Sequence, residues 1–236
     1  MVARLIVTTR GELIATPCCS ILLLPPNHHQ KPMARAITRN IAGMLQLASQ
    51  ADIEAGIEWY ARAHRLASRL SDAYDLSLGQ AVGVIAALSP RNKWNQNSID
   101  AEAMIKAWHY GIDPTTIKVC TFNTNKAKAA EILTLADPSS ENIIGVLNGR
   151  KVVNFFKSIM GDPNAVCVDG HAYAIWIGER LPVNQTPKLG VGLYNDISRA
   201  YVLIAKRSEL LCGEKLTPTQ IQAVTWVTYR RIFNIN

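Results

Sequence analysis

The chain has 236 residues, 48% of them hydrophobic, and a net charge of +7. This is enough apolar material for one substantial core or two small ones sharing a cleft, and no apolar run approaches the roughly 20 residues of a membrane span. The basic balance suits an anionic partner, nucleic acid first. Cys18, Cys19, Cys120, Cys167 and Cys212 stand in no metal-ligand spacing and read as reduced thiols of a cytoplasmic protein.

Residues 1–32 read unlike the rest. They are β-prone from Leu5 to Thr9. The apolar stretch Ile21 to Leu24 is too brief for a signal-peptide core and ends at Pro25-Pro26. An N-terminal extension or an upstream-start artefact is expected there, the alternative being a short strand or a disordered arm, with the body running over 33–236. From Met33 the pattern is helical. Ile37, Ile41, Met44, Leu45 and Ala48 share one face. Asp52 is placed to cap a second helix, with Ile53, Ile57, Tyr60, Ala61, His64 and Ala67 on its inner stripe. Ser77 precedes Leu78 to Leu88, apolar nearly all round, which predicts a helix buried on every side. Ser89-Pro90 ends it, because the residue before proline is pushed out of helical geometry.

A polar loop, Arg91 to Asn97, follows. Ser98 is then expected to cap a helix reaching Tyr110. Asn123 or Thr124 starts another, and Ser139 or Ser140 starts a short one ending near Leu147. Lys151 opens or continues a helix to Met160, and Gly161-Asp162-Pro163-Asn164 makes a turn. Asp169 leads a helix holding His171, Tyr173 and Trp176. Residues 181–193 read as a loop, and Asn195 or Asp196 starts a helix to Leu211. Thr217-Pro218-Thr219-Gln220 is a capping box with proline at the first helical position, and it launches Ile221 to Arg231. The expected fold is all-α, with about nine or ten helices.

Two residues carry chemistry. Lys151 sits in Leu147-Asn148-Gly149-Arg150-Lys151, and Asp169 sits in Val166-Cys167-Val168-Asp169-Gly170-His171. An amine and a carboxylate, each at the edge of an apolar segment, suffice for attack at an acetal carbon such as C1′ of a nucleoside. The amine can be the nucleophile, and the carboxylate can stabilise the positive charge that develops on the sugar. Taken alone, Lys151 would read as a solvated surface group and Asp169 as a helix cap.

This block resembles the helix-hairpin-helix DNA glycosylase superfamily, its endonuclease III-like branch in particular. There a glycine-rich hairpin is followed by Arg-Lys, an apolar helix and Val-Asp-x-His, with the same Lys-to-Asp interval. Gly83 to Ser89 is similar to the family's buried helix, and Asn125-Lys126-Ala127-Lys128 to its Asn-Ser-Lys-Ala element. The likeness covers residues 78 to 231 in patches, and only the Lys-to-Asp block is specific. The chain departs from the pattern in two places. Its hairpin is reduced to Leu147-Asn148-Gly149, and a single cysteine beyond Cys167 forbids the family's iron–sulfur cluster.

The resemblance implies a divergent, phage-type member: two helical lobes around a cleft, 78–165 forming one and 33–77 with 166–236 the other. It implies a monomeric enzyme on double-stranded DNA carrying a damaged or modified base, with no membrane partner, metal or organic cofactor. Lys151 and Asp169 would be catalytic in an N-glycosylase or AP lyase. Arg91, Asn92, Lys93 and Trp94 would reach into the duplex, Arg91 filling the gap left by an extruded base. Lys126, Lys128, Gly149 and Arg150 would meet phosphates. His171 and Asn154 would support the reacting groups from behind. Gly170, where the family usually has Thr or Ser, is expected to widen the pocket. The rival expectations are a base-modifying enzyme on the same scaffold and a non-catalytic DNA-binding module.

Overall fold

The computed structural model describes residues 6–7, 13–14, 34–182 and 185–235. The side chains of 6, 7, 13, 14 and 34–37 lie outside the description, as do the expectations for Pro25-Pro26, Met33, Cys18, Cys19 and the Ile37 side chain. The chain divides into two units, Met1–Lys31 and Pro32–Asn236. In the first, β1 (Ile6–Val7) pairs antiparallel with β2 (Leu13–Ile14), with Ile6 opposite Ile14 and Val7 opposite Leu13. β1 falls within the β-prone stretch.

The second unit is helical throughout its described residues. Its elements are α1 (Ala34–Gln46), α2 (Gln50–Tyr74), α3 (Leu78–Leu88), α4 (Trp94–His109) and a 3-10 turn (Pro114–Thr116). They continue with α5 (Asn123–Leu133), α6 (Ser140–Leu147), α7 (Arg150–Ile159), α8 (Gly170–Ile177), α9 (Val191–Ala205), α10 (Ser208–Cys212) and α11 (Pro218–Ile232). The fold class is all-α. No helix among the described residues is long and apolar enough to cross a membrane.

Local chemistry sets several helix starts. Ser49, Ser77 and Thr217 each close a capping box with the residue three positions on, satisfying two orphan donors at once. Asp52 is therefore the third-position partner in the α2 box; Ser49 is the cap. Five starts, those of α4, α5, α7, α9 and α10, have no side-chain cap, and two of them fall away from the expected position. α4 begins at Trp94 after Lys93 rather than at Ser98, and α9 begins at Val191 after Gly190 rather than at Asn195. The helix expected to run on to Leu211 is broken after Ala205, and α10 follows as a separate turn.

The apolar side chains form two clusters. One gathers α3 with α4, α5, α6, α7 and the second half of α2; Ala81 to Leu88 are all buried, Gly83 included, as expected of an all-apolar helix. The other gathers α1, α8, α9 and α11 with Ile53 of α2. Two segments serve both. One is α2. The other is the extended stretch 166–168, where Cys167 packs in the first cluster while Val166 and Val168 pack in the second. That alternation is the period-two habit of an extended chain. α2 and α11 are pressed together at Gly56, where an added Cβ would stand 2.5 Å from the Val224 Cα.

Candidate functional site

α6 and α7 are joined by two residues. Asn148 closes α6 in the left-handed conformation (φ 46°), and Gly149 is the extended N-cap of α7. Lys151 is the second residue of α7 and is exposed. The segment 166–168 runs back toward it and delivers Asp169 as the N-cap of α8. Asp169 Oδ1 accepts from the Ala172 N–H at 2.8 Å, and Oδ2 accepts from Trp226 Nε1 at 3.1 Å. Both carboxylate oxygens are thus held, one by a helix start and one by α11.

A buried hydroxyl ties these two stretches together. Tyr194 of α9 donates from its OH to the Val166 carbonyl at 2.8 Å and accepts from Val168 N at 3.1 Å and Asn154 Nδ2 at 3.2 Å. The Arg150 carbonyl lies 3.3 Å away. The residues immediately before Lys151 and before Asp169 therefore meet at one oxygen. Cys167 adds a second tie, its Sγ donating to the Lys151 carbonyl at 3.6 Å. Asn154, whose amide also donates to the Arg150 carbonyl at 2.8 Å, belongs to this bracing.

Lys151 and Asp169 line the same cavity, of about 900 Å³. Its walls are aromatic. Trp59 and Tyr60 come from α2, Trp94 from α4, Phe155 from α7 and Trp226 from α11. Trp59 is the hub: its ring centroid is 4.9 Å from Tyr60, 5.1 Å from Trp94, 5.8 Å from Phe155 and 5.9 Å from Trp226. The Arg230 guanidinium lies over Trp226 at 4.4 Å and also lines the cavity.

His171 lines it too, packed on Tyr229, with Nδ1 buried and without a partner among the described residues. Burial holds its pKa below the ordinary 6.5, with Arg230 and Lys151 pushing the same way and Asp169 opposing, so the ring is kept neutral. Burial pushes the Cys167 thiol up to about 12. Cys167 is therefore a thiol wall at neutral pH, not a nucleophile.

The loop before α4 borders the same space. Arg91, Asn92, Lys93 and Trp94 all line the cavity. Arg91 is exposed, takes φ 58° and lies over the Phe122 ring at 5.7 Å. Trp94 anchors the loop on Trp59 and still faces the cavity. A buried carboxylate organises the loop. Asp100 accepts from Asn92 Nδ2 at 2.9 Å, Gln96 Nε2 at 2.7 Å and the Cys120 N–H at 2.7 Å.

Other expected residues lie apart from the cavity. Lys126 donates to the Ile117 carbonyl at 3.2 Å and Lys128 to the Leu147 carbonyl at 2.6 Å, so both ammonium groups hold backbone, Lys128 at the carbonyl end of α6. Gly149 and Arg150 form the start of α7 and do not line the cavity. The room beside Gly170 is not pocket, since a Cβ there would meet Thr186 Oγ1 at 2.7 Å. No group of three or more His, Cys, Asp or Glu placed to hold a metal ion occurs among the described residues.

Trp59, Gln222, Asp100 and Tyr194 were not singled out by the sequence. The available signal was in α11, where Gln222, Trp226 and Arg230 recur every fourth residue. That spacing puts an amide, a ring and a guanidinium on one stripe.

The sequence profile of a family of unknown function, DUF7178, matches residues 25–232, and the chain belongs to that family. No curated protein and no solved structure matches it.

Proposed function

We propose that this protein is a DNA base-excision-type enzyme that draws one nucleotide out of the duplex and cleaves its N-glycosidic bond, with Lys151 as nucleophile and Asp169 as the stabilising carboxylate. The observation that carries this reading is the shared cavity: the amine and the carboxylate line one space walled by aromatic rings. In this reading the two hydrophobic clusters are the cores of two lobes and the cavity is the cleft of a glycosylase-like monomer. Arg91, Lys93 and Arg230 supply positive charge along the cleft. Extruding a nucleotide costs a few kcal/mol, least for a damaged or unpaired base, and that difference contributes selectivity.

The chemistry follows from the groups present. The attacking form of Lys151 is its free amine. Nζ then attacks C1′. The C1′–Nζ bond forms as the bond from C1′ to the base breaks, and the base departs with the electron pair and takes up a proton. Positive charge on the sugar in the transition state faces Asp169, whose oxygens are already oriented by Ala172 N and Trp226 Nε1. Ring opening gives a Schiff base, β-elimination cleaves the strand, and water hydrolyses the imine to return the amine. These steps call on no metal or organic cofactor.

Borohydride trapping on duplexes carrying an abasic site or a panel of lesions tests the reading. A covalent adduct is expected with the wild type and none with Lys151→Ala. Asp169→Asn, which keeps a good cap, is expected to fold normally and lose about 10²-fold in rate. Strand cleavage undiminished in Lys151→Ala would overturn the nucleophile assignment.

One observation favours a second reading. The two-residue joint between α6 and α7 has no glycine-rich loop to cradle a phosphate, which suits a scaffold turned to altering a base without cutting the sugar bond. Mass spectrometry of digested DNA separates the two outcomes, since excision releases a free base and modification yields an altered nucleoside.

A further inference from the structure

We infer that the cavity grips a planar ring by an oxo edge, and that Gln222 is the residue that reads that edge. This rests on the reading of the cavity as the seat of an extruded base, and it names the class of base: an oxo-pyrimidine or oxo-purine in preference to its amino counterpart.

The rings supply the grip. Trp59, Tyr60, Trp94, Phe155 and Trp226 all line the space, and stacking on such faces is tolerant of base identity. Identity must then come from polar groups in the wall. Gln222 is 4% exposed and lines the cavity one helical turn before Trp226. Its Oε1 accepts from the Tyr60 hydroxyl at 2.7 Å. Burial raises the Tyr60 pKa well above its ordinary value, so that hydroxyl keeps its proton and needs an acceptor. Turned over, the amide would make the hydroxyl accept from Nε2, and the Tyr60 proton would have to turn to Ser158, its other polar neighbour. The Tyr60 hydroxyl therefore favours the amide with oxygen inward and Nε2 outward.

No acceptor meets Nε2 among the described residues. Nε2 is left open to the cavity, so a ligand that fills this space must bring an acceptor or leave the donor unpaired at a cost. The oxo group at the pairing edge of uracil or hypoxanthine is such an acceptor. The amino group at the same place in cytosine or adenine would set donor against donor. Asp169, His171 and Lys151 lie on the same lining and are left for the sugar side.

The test compares matched duplexes in which a central uracil or cytosine, or hypoxanthine or adenine, faces an abasic analogue, so that extrusion costs are alike within each pair. Binding is followed by the fluorescence of the cavity tryptophans, using the full chain carrying Lys151→Ala so that no substrate is consumed. The oxo member of each pair is expected to bind roughly tenfold or more tightly. Gln222→Leu should abolish the difference. Tyr60→Phe keeps Gln222 but frees its amide to turn, and should shrink the difference. Equal or tighter binding of the amino members, or a preference that survives Gln222→Leu, would overturn the inference. Failure of every duplex to bind would end it together with the nucleic-acid reading. An oxo preference without any borohydride adduct in the wild type would leave it standing and sink the lyase chemistry alone.

Discussion

At the scale of single residues, the site depends on atoms that do no chemistry. Tyr194 illustrates this. Its hydroxyl contacts the carbonyl before Lys151 and the N–H before Asp169, so removing one oxygen loosens both reacting groups relative to each other. Tyr194→Phe leaves the Val168 N–H without its partner and is expected to lower stability by about 1–3 kcal/mol. The turnover loss should be larger than the affinity loss, roughly tenfold or more in rate with DNA binding little changed, because a displaced nucleophile costs orientation rather than contact. Single-turnover kinetics alongside equilibrium binding separates these; equal losses in both would make Tyr194 merely structural. Lys151 and Asp169 were legible because their interval and flanking residues lie in one short stretch. Tyr194 was not, because it reads as one more apolar helix residue until the chain segments it bridges are seen side by side.

At the scale of elements, the seam between α2 and α11 sets the back of the cavity, since Trp59 and Tyr60 come from one and Gln222 and Trp226 from the other. The two helices approach closely because Gly56 has no side chain. Gly56→Ala would drive a methyl against the Val224 backbone at 2.5 Å, and a loss of about 1–3 kcal/mol is expected in a urea melt. Unchanged stability would show that the seam is slack.

One end of the same seam carries an ion pair. Arg231 meets the buried Asp52 carboxylate at 2.7 Å. Burial alone would raise the Asp52 pKa, but the hydrogen bonds from Arg231 and Ser49 together outweigh it and leave the carboxyl below its ordinary 3.8. A depressed carboxyl stabilises the fold above the unfolded pKa and loses that contribution as pH falls through the folded one. Stability should therefore drop below about pH 4, and Arg231→Met should flatten that limb while costing about 1 kcal/mol at neutral pH, since the arginine is half exposed. An acid limb unchanged in the variant would assign it to other carboxylates.

Helix starts marked by capping boxes were legible at this scale, at Ser77 and Thr217 above all. The starts of α4 and α9 were not, because neither has a side-chain cap and packing alone sets them.

For the molecule as a whole, helical periodicity was enough to give an all-α body, but not the cavity. Its walls come from α2, α4, α7 and α11, so Trp226 reads equally as core or cleft wall, and Trp59 carries no signal, until the two hydrophobic clusters are placed around the segment 166–168 they share. That segment is why Lys151 and Asp169 face one space: it alternates between clusters and ends at the cavity. Lys126 and Lys128 do not line the cavity, and each ammonium is held by a nearby backbone carbonyl. The most direct measurement is mass spectrometry of the borohydride-reduced DNA adduct after nuclease and tryptic digestion. Cleavage after Arg150 should release a peptide running from Lys151 to Lys157 that carries the sugar remnant on Lys151. A remnant on any other amine, or an adduct formed equally well by Lys151→Ala, would contradict the assignment of Lys151 as the nucleophile.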